Sequence, residues 1–205
     1  MGDPWEGAPT PASVRAREAR GDAWASASPA YAKHYQQQRK QVHISCWNVA
    51  EVESAAMWSL YAGKGIALRT TYNRLVSSLD SEIECYAGVV RYVDFEETVF
   101  QDDNVYWPLV HKRRSFEHEQ ELRVLTRTWG SDEYTMPDGR PLADITYVPP
   151  AIRPIPVNLQ QLLTGVSVAP TAEAWFAALV AAVLSRYGLS QIPSRQSDLY
   201  SHAVF

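Results

Sequence analysis

The chain has 205 residues, 46% of them hydrophobic and 20% charged, which is enough to bury a full core in one domain. Its formal net charge of -4 argues against an overall attraction to nucleic acid or anionic membrane and leaves phosphate contacts to a local patch. Cys46 and Cys85 have no CxxC or Cys/His ligand spacing, no apolar run approaches the ~20 residues that span a bilayer, and the N-terminus lacks a signal-peptide pattern, so the chain reads as cytoplasmic, without a disulfide scaffold, a structural metal or a membrane contact.

Prolines and glycines keep residues 1–11 irregular, and Ser13 is placed to cap a first helix ending near Ser26. Pro29 opens a second helix, PAYAKHYQQQRKQ, with Tyr31 and Tyr35 on one face. Together these make an N-terminal helical segment over 1–40, ahead of an α+β core over 41–205. QVHISCWNV follows as a core strand, in which Ser45 stands between the inward candidates Ile44 and Cys46 or Trp47. The segment 51–62 predicts a helix containing Met57, Trp58 and Tyr61, stopped by Gly63. Residues 64–70 read as a buried strand, 72–79 as a short helix with Leu75, Val76 and Leu79 on its apolar side, and 84–94 as the strongest strand in the chain.

Residues 105–115 are compatible with a helix bent by Pro108, and 122–129 alternate as a strand. A polar loop over 130–144 and the proline-restricted runs YVPP and IRPIPV come next. A β-rich run at 162–168 then leads into the helix AEAWFAALVAAVLSRYG, closed by Gly188, whose apolar face of Trp175, Phe176, Leu179, Val183 and Leu184 is expected to pack on a sheet. With no regular βαβ alternation, the pattern predicts one α+β domain built on a mixed, mostly antiparallel sheet flanked by helices.

The chemistry concentrates at Lys112 to Leu125, KRRSFEHEQELRVL. Glu117, Glu119 and Glu121 occupy every second position beside Lys112, Arg113, Arg114 and Arg123, and an extended backbone would turn the three carboxylates to one side. Such a run is either a salt-bridged network or a polar site. His43 has no nucleophile or ligand context and reads as structural. His111, His118 and Glu121 form the one loose metal-ligand candidate. GxSxG, GxxxxGK and GxGxxG motifs are absent.

Five pieces in order, DPWEG at Asp3 to Gly7, SCW at Ser45 to Trp47, AMWSLYAGKGIAL at Ala56 to Leu68, KRRSFEHEQELR, and VSVAPTAEAWFAALV followed by SDLY, resemble the bacterial family called domain of unknown function 2971. They cover nearly the whole chain, although no single piece is specific. The resemblance implies a compact α+β fold and a bacterial or phage origin. Members of that family open with a strand and helix ahead of the DPWEG-like element, so this chain is expected to lack a first strand and to carry an exposed sheet edge, which a second copy could cover as a homodimer.

The family layout is in turn similar to ADP-ribosyltransferases, used in toxins and antiviral defence. That likeness implies NAD as cofactor and a macromolecular acceptor, with Glu121 as the catalytic carboxylate that stabilises an oxocarbenium-like ribose and Glu119 as its helper. Ser45, Trp58, Lys112 and Arg123 would then line the cofactor. Two other readings stand beside it. The charges form a structural network that ties a helix to a strand, or the chain is a non-catalytic module that binds phosphate, a nucleotide or another protein. Trp58 and Tyr61 also fit a simple core role.

Overall fold

The computed structural model describes residues 3–21, 36, 39–79, 82–100, 104, 106–128 and 150–201. Its elements are α1 (Pro11–Ala19), β1 (Val42–Asn48), α2 (Ala55–Tyr61), β2 (Ile66–Arg69), α3 (Tyr72–Ser78), β3 (Tyr86–Val89), β4 (Arg91–Val93), a 3-10 turn (Trp107–Leu109), β5 (His111–Arg113), a second 3-10 turn (Arg114–Glu119), β6 (Glu121–Arg127), α4 (Leu159–Leu162), β7 (Gly165–Val168), α5 (Ala174–Arg186) and β8 (Ser194–Gln196). The class is α+β. The strands form small sheets ordered β1-β6-β3, β2-β7-β8 and β4-β5, with antiparallel pairing at β1-β6, β3-β6 and β2-β7 and parallel pairing at β4-β5 and β7-β8. No described helix is long and apolar enough to cross a membrane.

The chain clusters into two compact units. The first comprises Met1–Val49 and Glu84–Arg153, the second Ala50–Ile83 and Pro154–Phe205. In the first, β6 is the central strand and is buried at all its positions, while β1 and β3 are the sheet's edges among the described residues. Its apolar core includes Val90, Phe95, Phe100, Leu109, Leu122, Val124 and Leu125. α1 starts at Thr10, not Ser13. Thr10 accepts from the Ser13 backbone N–H at 3.0 Å, Pro11 takes the first helical position where no donor is needed, and the Thr10 hydroxyl donates to the Thr98 carbonyl at 2.6 Å. The helix stops at Ala19 rather than near Ser26, with Gly21 following at φ 74°.

Two further expectations change in this unit. The run 84–94 is two strands, because the chain leaves one sheet for another at Val90: β3 pairs with β6, and β4 pairs with β5. The expected helix over 105–115 is a short turn and a strand, since Pro108 supplies no donor to extend a helix and the backbone of Arg91 instead bonds the Val110 carbonyl at 2.9 Å. Most of the second expected helix, the loop at 130–144 and the YVPP run lie outside the described residues.

In the second unit, β7 is central and buried, with Leu75, Leu162, Leu163, Val166, Val168, Ala169, Leu189 and Ile192 filling the core. Ser54 caps α2, Thr71 caps α3 and Asn158 caps α4, each accepting from the first turn of its helix. β2, expected to be buried, is an edge strand with Ile66 and Leu68 exposed. α5 ends before Gly188 at φ 69° as expected. Its packing face differs from the expected one: Val180 and Leu184 are buried, whereas Trp175, Leu179 and Val183 are exposed.

Candidate functional site

Glu119 and Glu121 do converge, though not through strand alternation. Residues 114–119 wind as a 3-10 turn, Gln120 takes a left-handed conformation at φ 42°, and only at Glu121 does β6 begin. The kink replaces the extended run and turns Glu119 back toward Glu121, while Glu117 stays exposed. Two bonds pin the kink: the Asn48 side-chain amide donates to the Glu119 carbonyl at 2.7 Å, and the Val49 backbone N–H donates to the Gln120 carbonyl at 2.7 Å. Behind it, the Tyr92 hydroxyl accepts from the Glu121 backbone N–H at 2.9 Å.

Lys112 lies between the two carboxylates. Its Nζ donates to Glu119 Oε2 and, at 2.7 Å, to Glu121 Oε1, with the three side chains only 5%, 4% and 9% exposed. The second oxygen of Glu121 takes the Arg123 Nε at 2.5 Å, and Arg123 is itself completely buried, donating from Nη1 to the Leu109 carbonyl. Its remaining nitrogen, Nη2, pairs with Glu6. Next to this, Asp3 receives a two-pronged grip from Arg113, Nε at 3.1 Å and Nη2 at 2.7 Å, and the Phe116 ring lies under Lys112 and Arg113.

Ion pairing decides the electrostatics. Burial by itself would raise the Glu121 carboxyl, but its contact with Glu119 and the hydrogen bonds donated by Arg123 and Lys112 outweigh it and hold the group at about 2. Burial would likewise strip Lys112 of its proton, and the two carboxylates push its pKa above the ordinary lysine value instead. Cys46, which stands opposite Arg123 across β1 and β6, is an exposed residue, yet desolvation of its thiol by the packed network beside it and the Glu121 charge push the thiol up to about 11.

The DPWEG element explains itself here. Asp3 answers Arg113 and Glu6 answers Arg123. Gly7, at φ 73°, donates its N–H to the Pro108 carbonyl at 3.0 Å, where an added Cβ would fall within 3.0 Å of Leu109. Asp3 and Glu6 were not singled out from sequence, because their partners lie more than a hundred residues away. The signal available was charge complementarity between an acidic and a basic motif.

The other expected ligand residues are placed differently. Ser45 pairs in register with Val124, whereas Cys46 pairs with Arg123 and Asn48 with Glu121, so Ser45 projects from the opposite face of the sheet to the carboxylates. There its hydroxyl accepts from the Trp47 indole N–H at 3.1 Å. Trp58 is buried in the second unit, where its indole N–H reaches Glu53 at 3.2 Å and Glu53 also takes the Ser197 hydroxyl. The hydrogen bond from Ser197, helped by Trp58 and Arg195, overrides burial and keeps the Glu53 carboxyl low. DPWEG thus pairs with KRRSFEHEQELR in one unit, and in the other Glu53 joins AMW to SDLY.

His43 lies 3.0 Å from the Thr128 hydroxyl, a structural contact, and His111 holds the Trp107 carbonyl at 2.7 Å. Among the described residues, no three His, Cys, Asp or Glu side chains are grouped to hold a metal ion. Scanned against family models, curated proteins and solved structures, the chain matches none.

Proposed function

We propose that the chain acts as a non-catalytic protein-interaction module in which the Glu-x-Glu element is a structural ion lock. The observation that carries this is the commitment of both carboxylates to Lys112 inside the core, with the second oxygen of Glu121 committed to Arg123. A carboxylate that stabilises an oxocarbenium-like ribose, or takes a proton from an acceptor, must present an oxygen to the ligand. Glu121 has both oxygens bonded to cations of its own chain, and Ser45 projects from the other side of the sheet. The same bonds engage Lys112 and Arg123, which removes them as free phosphate ligands and weakens the nucleotide-binding reading. The second unit also carries many exposed large apolar side chains, among them Leu60, Tyr61, Tyr72, Trp175, Leu179 and Tyr187, which are available to an interaction surface. The test is to incubate the purified chain with NAD and candidate acceptors and to follow both NAD loss and label transfer. No turnover is expected, and turnover that disappears in Glu121→Gln would overturn the reading.

A second reading, an NAD-dependent ADP-ribosyltransferase-like enzyme, draws on one observation. Glu121 is kept ionised, the state that electrostatic stabilisation of a ribosyl cation needs, and Lys112 and Arg123 stand beside it. A ligand pyrophosphate that drew Lys112 away would release the Glu119 oxygen and the Glu121 oxygen that Lys112 holds. This reading requires NAD to raise the melting temperature of the chain, because a ligand bound only by the folded state stabilises it by mass action.

A further inference from the structure

α5 has two apolar sides and only one is covered. Val180 and Leu184 are buried within the second unit. Turned away from them, Trp175, Ala178, Leu179, Ala182, Val183 and Arg186 fall at i, i+3, i+4, i+7, i+8 and i+11, one continuous stripe, and every one of them is exposed. Trp175, the largest side chain of the stripe, is 61% exposed. The stripe is polar only at its ends. Glu173 precedes it, and its carboxylate is drawn toward the stripe by the Trp175 indole N–H at 2.6 Å, while Arg186 closes it.

We propose that this stripe pairs with the same stripe of a second copy of the chain, antiparallel about a two-fold axis between positions 180 and 181. The inference rests on the interaction reading and names its partner. In a two-fold contact each residue must suit the one that faces it, and the stripe is self-complementary in size and in charge. Leu179 meets the partner's Ala182, and Val183 meets the partner's Ala178, so a large side chain enters the space left by a small one at each step. Trp175 meets the partner's Arg186, which reaches both its ring and the carboxylate of Glu173. A parallel arrangement would instead bring two Arg186 side chains together. A helix of 13 residues is about 20 Å long, so one such stripe against another makes a small contact, at or below the roughly 1,200 Å² where standard interfaces begin. The dimer is therefore reversible and its population rises with concentration.

Light scattering on the full chain over a dilution series tests this directly. The expected mass moves from 23.0 kDa toward twice that value as concentration rises. Leu179→Glu is expected to hold the monomer mass throughout while keeping the wild-type far-UV spectrum and melting behaviour, since Leu179 lies on the exposed side. Arg186→Glu weakens the dimer by setting it against Glu173, and adding Glu173→Lys restores it. A wild-type chain that stays at monomer mass at all concentrations, a dimer that survives Leu179→Glu, or a double exchange that does not restore pairing would each overturn the proposal. A monomeric chain that also leaves NAD untouched removes only the self-pairing. A chain that turns over NAD removes the non-catalytic reading whatever its mass.

Discussion

The two units handle polarity in opposite ways. The first buries Asp3, His111, Lys112, Glu119, Glu121, Arg123 and Arg127, whereas the second buries no charged residue among those described, only Ser78, Ser167 and Ser197. The second instead leaves most of the exposed large apolar side chains on its surface. A buried network with matched partners adds little net stability over a well-packed apolar core, yet it severely penalises any arrangement that leaves one member alone. The first unit is thus fixed internally by charge pairing that rejects alternatives, and the second is held by ordinary apolar packing, with large apolar side chains left on its surface. Polarity of the interior, more than any motif, separates the two units.

The sharpest way to break that contrast is to remove the centre of the lock. Lys112→Met leaves Glu119 and Glu121 buried together without their shared cation, and is expected to destabilise the chain by about 3–5 kcal/mol in urea unfolding. A chain that tolerates this change would show that the first unit does not depend on its buried charges. Acid should act on the same group more gradually. Glu121 titrates at about 2 in the folded chain against an ordinary value of 4.5, so its contribution is complete above pH 4.5 and is lost as pH falls toward 2. A urea midpoint measured from pH 6 downward is expected to fall through that window, and in Glu121→Gln the fall should be shallower.

Two smaller effects sharpen the picture of how the first unit is assembled. Thr10→Ala removes the cap of α1 and its bond to Thr98, at a cost of about 1–2 kcal/mol readable as a lower thermal midpoint, whereas Ser13→Ala should leave the cap itself in place. Gln120→Gly relaxes the left-handed backbone of the kink and is expected to shift stability upward by no more than about 1 kcal/mol. If Gln120→Gly were strongly destabilising, the side chain and not the backbone would be what the kink requires.

Much of the secondary structure was legible because it depends on local pattern. α3 falls at 72–78 against an expected 72–79, α5 stops at Gly188, and β1 occupies the β-branched run at 42–48, although as a sheet edge with no buried position and not the core strand expected. The Glu119–Glu121 pair was also legible as a place, since acids beside a basic cluster must be paired or solvated. What the sequence did not reveal has a common cause, contacts with distant segments. The left-handed turn at Gln120 is a conformation glutamine seldom takes, and the bonds from Asn48 and Val49 that hold it come from another strand. Val90 marks a change of sheet inside a run whose residues all favour strand. The helix period of α5 identified an apolar face, but an all-apolar helix has more than one, and only packing chooses which is covered.

The central claim is that Glu121 is held as a fully paired carboxylate within the first unit, and its own titration tests this most directly. Side-chain carboxyl signals followed by carbon-13 NMR from neutral pH downward should show Glu121 ionised until about pH 2 in the wild-type chain. A Glu121 carboxyl that titrates near 4.5, as a solvated or freely available group does, would contradict the lock.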